Sequence, residues 1–243
     1  TNKKLGNRVQ KICVAYEGME KFFPADKIVM TGNPIRSTIV PSTQEMKAEG
    51  VKEYGLDPSR KHLFVVGGSL GSARFNQCMR KWISDGCPGL DGIDVLWQCG
   101  KYYKAGVDEF MREQAKANPE TVGNIHYSDF IGRMDLAYAA ADVVVSRSGA
   151  SSVSELCAAH KAAIFIPSPN VAEDHQTHNA MALARKDAAL IVKDGEAMEK
   201  MIPAAINLLH DPAKIAVLEE NAGKMALPGA AGKIAEEVYK IIK

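Results

Sequence analysis

Three features of this chain predict an α/β fold with a doubly wound parallel sheet. Short apolar strands alternate with helical segments over most of its length, the pattern of βαβ units. Several strands are continuous β-branched runs, such as Val143-Val144-Val145, which suits strands covered by helices on both faces. Glycine- or serine-containing turns stand where strands end and helices begin.

In order, the predicted strands are Ile12–Tyr16, Ile28–Thr31, Leu63–Val66, Val95–Gln98, Ile125–Tyr127, Val143–Ser146, Ala163–Ile166 and Ala189–Val192. From Ala73 to Ile83, Phe75, Met79 and Trp82 recur at helical spacing. Further helices are expected over Tyr103–Ala117, Met134–Ala141, Ser152–Ala159 and Gln176–Arg185. From Glu196 onward the chain reads as helices only, broken at Asp211-Pro212 and Leu227-Pro228-Gly229. The first segment holds one helix and two strands, too few to bury a core. Gly32-Asn33-Pro34 then breaks the pattern. The boundary is placed there, giving segment 1–33 and a main domain over 34–243.

The 243 residues are 46% hydrophobic and 24% charged, with a net charge of +1 and both signs interspersed. No clustered basic excess points to nucleic acid. The five cysteines are scattered and never form a C-x-x-C pair, so neither a disulfide framework nor structural zinc is expected, and a reducing, cytosolic setting fits. No apolar run is long enough for a membrane-spanning helix. No signal peptide is read at Thr1-Asn2-Lys3-Lys4.

Three strand-to-helix turns could carry chemistry. In Gly67-Gly68-Ser69-Leu70-Gly71-Ser72, glycines let backbone approach a phosphate and the following helix start offers unpaired N–H groups; a tight turn alone would also want glycine. A nicotinamide dinucleotide would call for an acid near the end of the next strand, and that strand ends Gln98-Cys99-Gly100-Lys101. In the second turn, Ser146 to Glu155, Glu155 could accept from both ribose hydroxyls. Equally, Ser152-Val153-Ser154-Glu155 fits a capping box, with Glu155 bonding back to Ser152. In the third, Asn170 to Ala180, His175, Gln176 and Asn179 share a helix face and could meet sugar hydroxyls. A metal held by His175, His178, Glu173 and Asp174 lacks the H-E-x-x-H spacing and is not expected. A fourth stretch, Asp129 to Met134, follows a strand end, where loop backbone could pair with a uracil edge; by periodicity Phe130 and Ile131 are core.

Taken together and in order, Gly32-Asn33-Pro34-Ile35-Arg36, Gly67-Gly68-Ser69-Leu70-Gly71, Phe130 to Met134, Ala141 to Glu155, and Glu173-Asp174-His175-Gln176-Thr177 with Asn179-Ala180 resemble the MurG family. Its members are UDP-N-acetylglucosamine:undecaprenyl-diphospho-muramoylpentapeptide N-acetylglucosaminyltransferases, which convert lipid I to lipid II in peptidoglycan synthesis. The resemblance implies one Rossmann-like lobe of a two-lobed GT-B glycosyltransferase, the C-terminal lobe that binds UDP-N-acetylglucosamine. Arg36 and Ser69 would face the diphosphate, Gly68 would stand among the residues that bind UDP-N-acetylglucosamine, and Ile131 would hold uracil through its backbone. Ala150, Ser151 and Ser152 would line the nucleotide, Glu155 would hold the ribose, and Gln176 and Asn179 would contact the sugar with His175 nearby. No cofactor or metal is implied.

The family's N-terminal lobe opens with a Gly-Gly-Thr-Gly-Gly-His loop, binds the lipid acceptor, touches the cytoplasmic face of the membrane and supplies the proposed base. That loop is absent from this sequence, and Thr1–Thr31 resembles only the end of that lobe. The chain is expected to be an excised donor lobe without turnover of its own, and none of its residues is assigned as the base. Two other readings remain at this level: a related GT-B enzyme such as a UDP-N-acetylglucosamine 2-epimerase, and a non-catalytic nucleotide-binding module.

Overall fold

The computed structural model describes residues 2–171 and 174–242. The chain opens with helix α1 (Asn2–Gly6) and strand β1 (Ile12–Val14), and strand β2 (Ile28–Met30) follows two single-turn 3₁₀ segments. β1 and β2 pair in parallel as a separate two-stranded sheet. It leaves Leu5, Phe22 and Met30 exposed, as expected where so few strands cannot close a core.

Beyond Gly32 the chain forms α2 (Gln44–Glu53), β3 (Lys61–Val66), α3 (Ala73–Ser84), β4 (Ile93–Gln98), α4 (Lys104–Ala117), α5 (Pro119–Val122) and β5 (Ile125–Ser128). It continues through α6 (Met134–Ala140), β6 (Val143–Ser146), α7 (Ala150–Ala158), β7 (Ala163–Phe165), α8 (His175–Ala184) and β8 (Leu190–Ile191). Three helices close it: α9 (Ala197–Leu209), α10 (Pro212–Lys224) and α11 (Ala230–Ile242).

The six strands β3 to β8 form one all-parallel sheet in the order β5-β4-β3-β6-β7-β8. The order reverses between β3 and β6. At such a switch point the two following connections leave toward opposite faces, which opens a crevice at the carboxyl ends of the strands.

Both faces of the sheet are buried. Along β3, Leu63 and Val65 point into one core with Phe75, Met79 and Trp82 of α3, Val107 of α4 and Met201, Ala205 and Leu209 of α9. Phe64 and Val66 point into the other core, with Tyr138 of α6, Leu156 of α7 and Leu183 of α8. Successive side chains of a strand alternate faces, so a strand clad on both sides is apolar throughout. The unbroken Val143-Val144-Val145 run is the sequence form of that burial; all three side chains are fully buried.

Element boundaries follow the sequence reading closely, with differences that have local causes. β8 is shorter than predicted because only Leu190 and Ile191 find partners on β7, opposite Ile164 and Phe165. β1 ends at Val14, whose carbonyl accepts the N–H groups of both Thr31 and Gly32. α7 begins at Ala150, two residues before the predicted start at Ser152, with Gly149 as its N-cap. Helix α2 is absent from the sequence reading. It carries few apolar side chains and is held by packing against α6. Four cysteines are buried, none is disulfide-bonded, and burial pushes the Cys87 and Cys157 thiols up to about 12. Among the described residues no helix is long and apolar enough to cross a membrane. α11 leaves Val238, Tyr239, Ile241 and Ile242 exposed.

The α2–α6 contact depends on Gly50. A Cβ there would lie 2.3 Å from the Leu136 carbonyl oxygen and 3.1 Å from Ala140 Cβ. Gly50→Ala therefore sets two effects against each other. Helix propensity favours alanine by about 1 kcal/mol, while forcing a methyl into a filled contact costs about 1–3 kcal/mol. Backbone carbonyl is the harder neighbour to move, so the variant is expected to melt several degrees below the parent in a thermal scan. A rise in Tm would mean that α2 is free to shift.

Candidate functional site

Two loops meet at the switch point. The first, Gly67 to Ser72, joins β3 to α3; the second, Arg147 to Gly149, joins β6 to α7. Together with Ser168, Pro169, Asn170, Gln176 and Asp194 they line a cavity of about 610 Å³. Gly71 makes the first loop possible. Its φ is +79°, and a Cβ would lie 2.2 Å from the Cys99 carbonyl oxygen of the neighbouring β4 loop. Only glycine allows both the left-handed turn and that close approach.

Both helices present their N-termini at this crevice. The first four N–H groups of a helix lack intrahelical partners and carry partial positive charge. α3 is capped by Ser72, whose Oγ accepts from Phe75 N at 3.4 Å. α7 has Gly149 as N-cap, so no side chain covers its first turn. Ala150 and Ser151 are exposed there, and Ser152 lines the cavity. Two helix starts in one crevice, that of α7 without a side-chain cap, are suited to an anion.

Arg147 holds the crevice together. Its Nη1 donates to Asp194 Oδ1 at 2.6 Å and to the Ile166 carbonyl at 3.0 Å, and its Nη2 donates to Ser72 Oγ at 3.0 Å. The guanidinium also lies 4.8 Å over the Phe75 ring, a cation–π contact. Arg74, at the second position of α3, approaches the other Asp194 oxygen through Nε at 3.4 Å. Sequence reasoning passed over Arg74, Arg147 and Asp194. A charged residue directly after an apolar strand was the available signal for Arg147; Asp194 had none, because only the fold brings it across.

Glu155 sits on the inner side of α7, 8% exposed. Tyr138 of α6 donates its hydroxyl to Oε2 at 3.2 Å, and Arg36 Nη1 stands 3.8 Å from Oε1. The capping-box reading is overturned: Gly149 is the N-cap, Ser152 lies within the helix, and the Glu155 carboxylate faces Tyr138 and Arg36. Burial raises the Glu155 pKa above its ordinary 4.5, against the smaller downward pulls of Arg36 and Tyr138. Asn33 reaches the same helix from the chain break, donating to Ser154 Oγ at 3.0 Å and to the Ala150 carbonyl at 3.4 Å.

The other expected residues divide into those at the cavity and those behind it. Gly68, Ser152 and Gln176 line the cavity, and Ser69 is exposed beside it. Gln176 Oε1 accepts from Ser168 N at 2.9 Å. Asn179 is buried behind the second loop and donates to the Ser148 carbonyl at 3.0 Å. Ile131 is buried too, and its N–H donates to Gln98 Oε1 at 3.2 Å. The Gln98 amide in turn donates to the Gly68 carbonyl at 2.7 Å, tying the uracil-side loop to the glycine loop. Arg36 is half-exposed beside Glu155 and does not line the cavity. His175 is exposed at the start of α8. Glu173, named in the metal reading, lies outside the described residues. Among those described, no three His, Cys, Asp or Glu side chains converge as a metal site would require.

A cavity of about 730 Å³ lies at the opposite edge of the sheet, where the strands begin. Its charges are largely answered internally: Lys47 pairs with Asp142, and Lys161 donates to the Ala141 carbonyl 3.9 Å from Glu219.

With this geometry in hand, the comparisons are specific. The profile of the glycosyltransferase family 28 C-terminal domain matches residues 62–238. The chain belongs to that family. It is 46% identical over 241 residues to the UDP-N-acetylglucosamine–N-acetylmuramyl-(pentapeptide) pyrophosphoryl-undecaprenol N-acetylglucosamine transferase of Bacteroides thetaiotaomicron, covering 99% of this chain and 63% of that protein. The Parabacteroides distasonis enzyme of the same name is 44% identical over 242 residues, with 100% and 63% covered. The crystal structure of Acinetobacter baumannii MurG superposes with a TM-score of 0.66 at 25% identity, covering 99% of this chain and 64% of that one. The family-28 chain thus spans about 63% of the length of its curated relatives. The resemblance drawn from the motifs and the fold class drawn from the strand pattern are both borne out.

The buried carboxyl makes a pH prediction. Because its folded pKa is raised, Glu155 contributes stability below the ordinary carboxylate range, and that contribution is lost as pH rises through the folded value. Glu155→Gln removes the titration. Its Tm relative to the parent should therefore climb steadily from acid to neutral pH. A difference that stays flat across that range would show that the carboxyl is solvated rather than buried.

Proposed function

We propose that residues 34–243 are the UDP-N-acetylglucosamine-binding lobe of an inverting N-acetylglucosaminyltransferase, and that residues 1–33 are the end of an acceptor-binding lobe with its hinge. The observation that carries this is the meeting of two helix N-termini at the sheet's switch point with a buried carboxylate one turn into α7. A nucleoside diphosphate sugar needs those features in that order: positive ends of helices for the diphosphate, and an acceptor for the ribose hydroxyls. The relatives' names supply the sugar and the acceptor class, N-acetylglucosamine passed to an N-acetylmuramyl-(pentapeptide) pyrophosphoryl-undecaprenol.

In this reading the α3 and α7 N-termini, with Gly68, Ser69, Ala150, Ser151 and Ser152, surround the diphosphate. Glu155 accepts from the ribose, with Tyr138 and Arg36 keeping its carboxylate oriented. Since the Ile131 N–H is engaged by Gln98, the uracil edge would meet the Ile131 carbonyl. Gln176 offers its NH₂ to the sugar beside His175, and Asn179 acts by holding Ser148 in place.

The reaction of the whole enzyme is a displacement at the anomeric carbon. The C4 hydroxyl of the muramoyl sugar forms the new bond, the bond to the diphosphate oxygen breaks, and UDP leaves with inversion. Charge growing on the departing diphosphate is met by fixed helix N-termini, which need no reorganisation as the bond breaks. A base must take the hydroxyl proton, and it belongs to the other lobe. That lobe would also carry the lipid I site and the contact with the inner face of the bacterial membrane, making the enzyme cytoplasmic and peripheral. The product, lipid II, feeds peptidoglycan synthesis.

Isothermal titration of this chain tests the assignment. UDP-N-acetylglucosamine and UDP should bind, and NAD should not. Glu155→Ala should weaken both uridine ligands by about tenfold or more, the worth of charge-assisted hydrogen bonds to a carboxylate. A chain that unfolds cooperatively yet binds neither uridine ligand would overturn the donor reading.

A further inference from the structure

The charged residues lining the crevice are Arg74, Arg147 and Asp194, two guanidiniums against one carboxylate. They are not equivalent. Arg147 is engaged on every side, by Asp194, Ile166, Ser72 and the Phe75 ring, and its side chain is only 14% exposed. It already neutralises Asp194 at 2.6 Å. Arg74 is 36% exposed and, among the described residues, touches Asp194 through Nε alone, at 3.4 Å. That contact uses a single nitrogen, whereas a guanidinium binds best through its parallel pair of N–H groups. Among the described residues the terminal nitrogens of Arg74 make no hydrogen bond, which leaves them to a ligand.

Its place in the helix adds a second argument. Arg74 stands in the first turn of α3, where the helix dipole disfavours a cation, and no acidic residue shares that turn. A cation held at the positive end of a helix, beside a carboxylate that another arginine already satisfies, is electrostatically unfinished. An anion in the crevice would complete it and would also meet the α3 N-terminus and the Gly67–Gly71 loop. Arg36 does not fill this role, since it stands beside Glu155 outside the cavity lining.

We propose that Arg74 is a specificity-determining residue for the diphosphate of the bound nucleotide-sugar: its guanidinium leaves Asp194 Oδ2 and pairs with phosphate oxygens, while Arg147 stays with Asp194 and keeps the crevice shaped. The proposal rests on the donor reading above and adds a residue to it. Arg74 thereby separates ligands by their phosphate content and is indifferent to the base and ribose.

The test is titration of uridine, UMP, UDP and UDP-N-acetylglucosamine into the parent, Arg74→Gln and Arg74→Lys chains, followed by NMR so that weak uridine binding is measurable. Arg74→Gln should lose about ten- to a hundredfold in affinity for UDP and UDP-N-acetylglucosamine, as for a charge-assisted pair, and leave uridine unchanged. Arg74→Lys should recover part of the loss, because it keeps the charge without the fork. The parent's UDP affinity should also fall more steeply with salt than that of Arg74→Gln. Unchanged UDP binding in Arg74→Gln, or an equal loss for uridine and UDP, refutes the role of Arg74 and leaves the donor lobe standing. A folded parent that binds none of the four ligands overturns the donor reading and this inference with it.

Discussion

The guanidinium of Arg147 is the constraint on which the crevice depends. It joins three connections that the chain order keeps apart: Ser72 after β3, Ile166 after β7, and Asp194 after β8. Largely buried ion pairs gain little net stability, because desolvation offsets most of the attraction. Losing one partner is another matter, since the remaining charge is left in a poor solvent at a cost of about 3–5 kcal/mol. The pair thus acts as a lock on geometry. It holds the α3 N-cap at a set distance from the α7 loop, and the distance between those two helix starts defines the proposed anion site.

The parallel sheet supplies the frame for this lock. In a parallel arrangement every carboxyl end lies on the same edge, so all the loops that follow strands collect there. The two edges of this sheet are unlike. At the edge where strands begin, lysines and acids answer one another. At the edge where strands end, helix N-termini, Arg74 and Gln176 line the crevice. Glu155 lies just inside that edge, where burial raises its pKa and the tyrosine and arginine beside it favour the ionised form. A carboxylate held in that balance gains from hydroxyl donors that arrive with a ligand.

Much of the fold was legible because burial on both faces writes itself into a strand as an unbroken apolar run. Val143-Val144-Val145 and Leu63 to Val66 are such runs, and both proved to be central strands. Helix α2 was not legible. Its sequence carries little amphipathic signal, and its place comes from Gly50 lying against the Leu136 carbonyl, a contact no local pattern announces. The glycine loop and Glu155 stood out by residue type and position. The capping box around Glu155 was a false local signal: Ser152-x-x-Glu155 has the right spacing, but the preceding Gly149 starts the helix earlier and turns the carboxylate inward. Ile131 and Asn179 were named as ligand contacts; the Ile131 N–H is engaged by Gln98 and the Asn179 amide nitrogen by the Ser148 carbonyl.

By itself the sequence determined the alternation of strand and helix, the glycines that permit a tight strand-to-helix turn, and the family motifs in their order. These are properties of local periodicity and of single residues, so they survive without a structure. Only the tertiary structure decided which charges meet. Arg147, Asp194 and Arg74 come together because the strand order reverses between β3 and β6 and the chain then returns past β8. Electrostatic partnership depends on distance in space and on burial. Neither is encoded by spacing along the chain once a fold has crossed over itself.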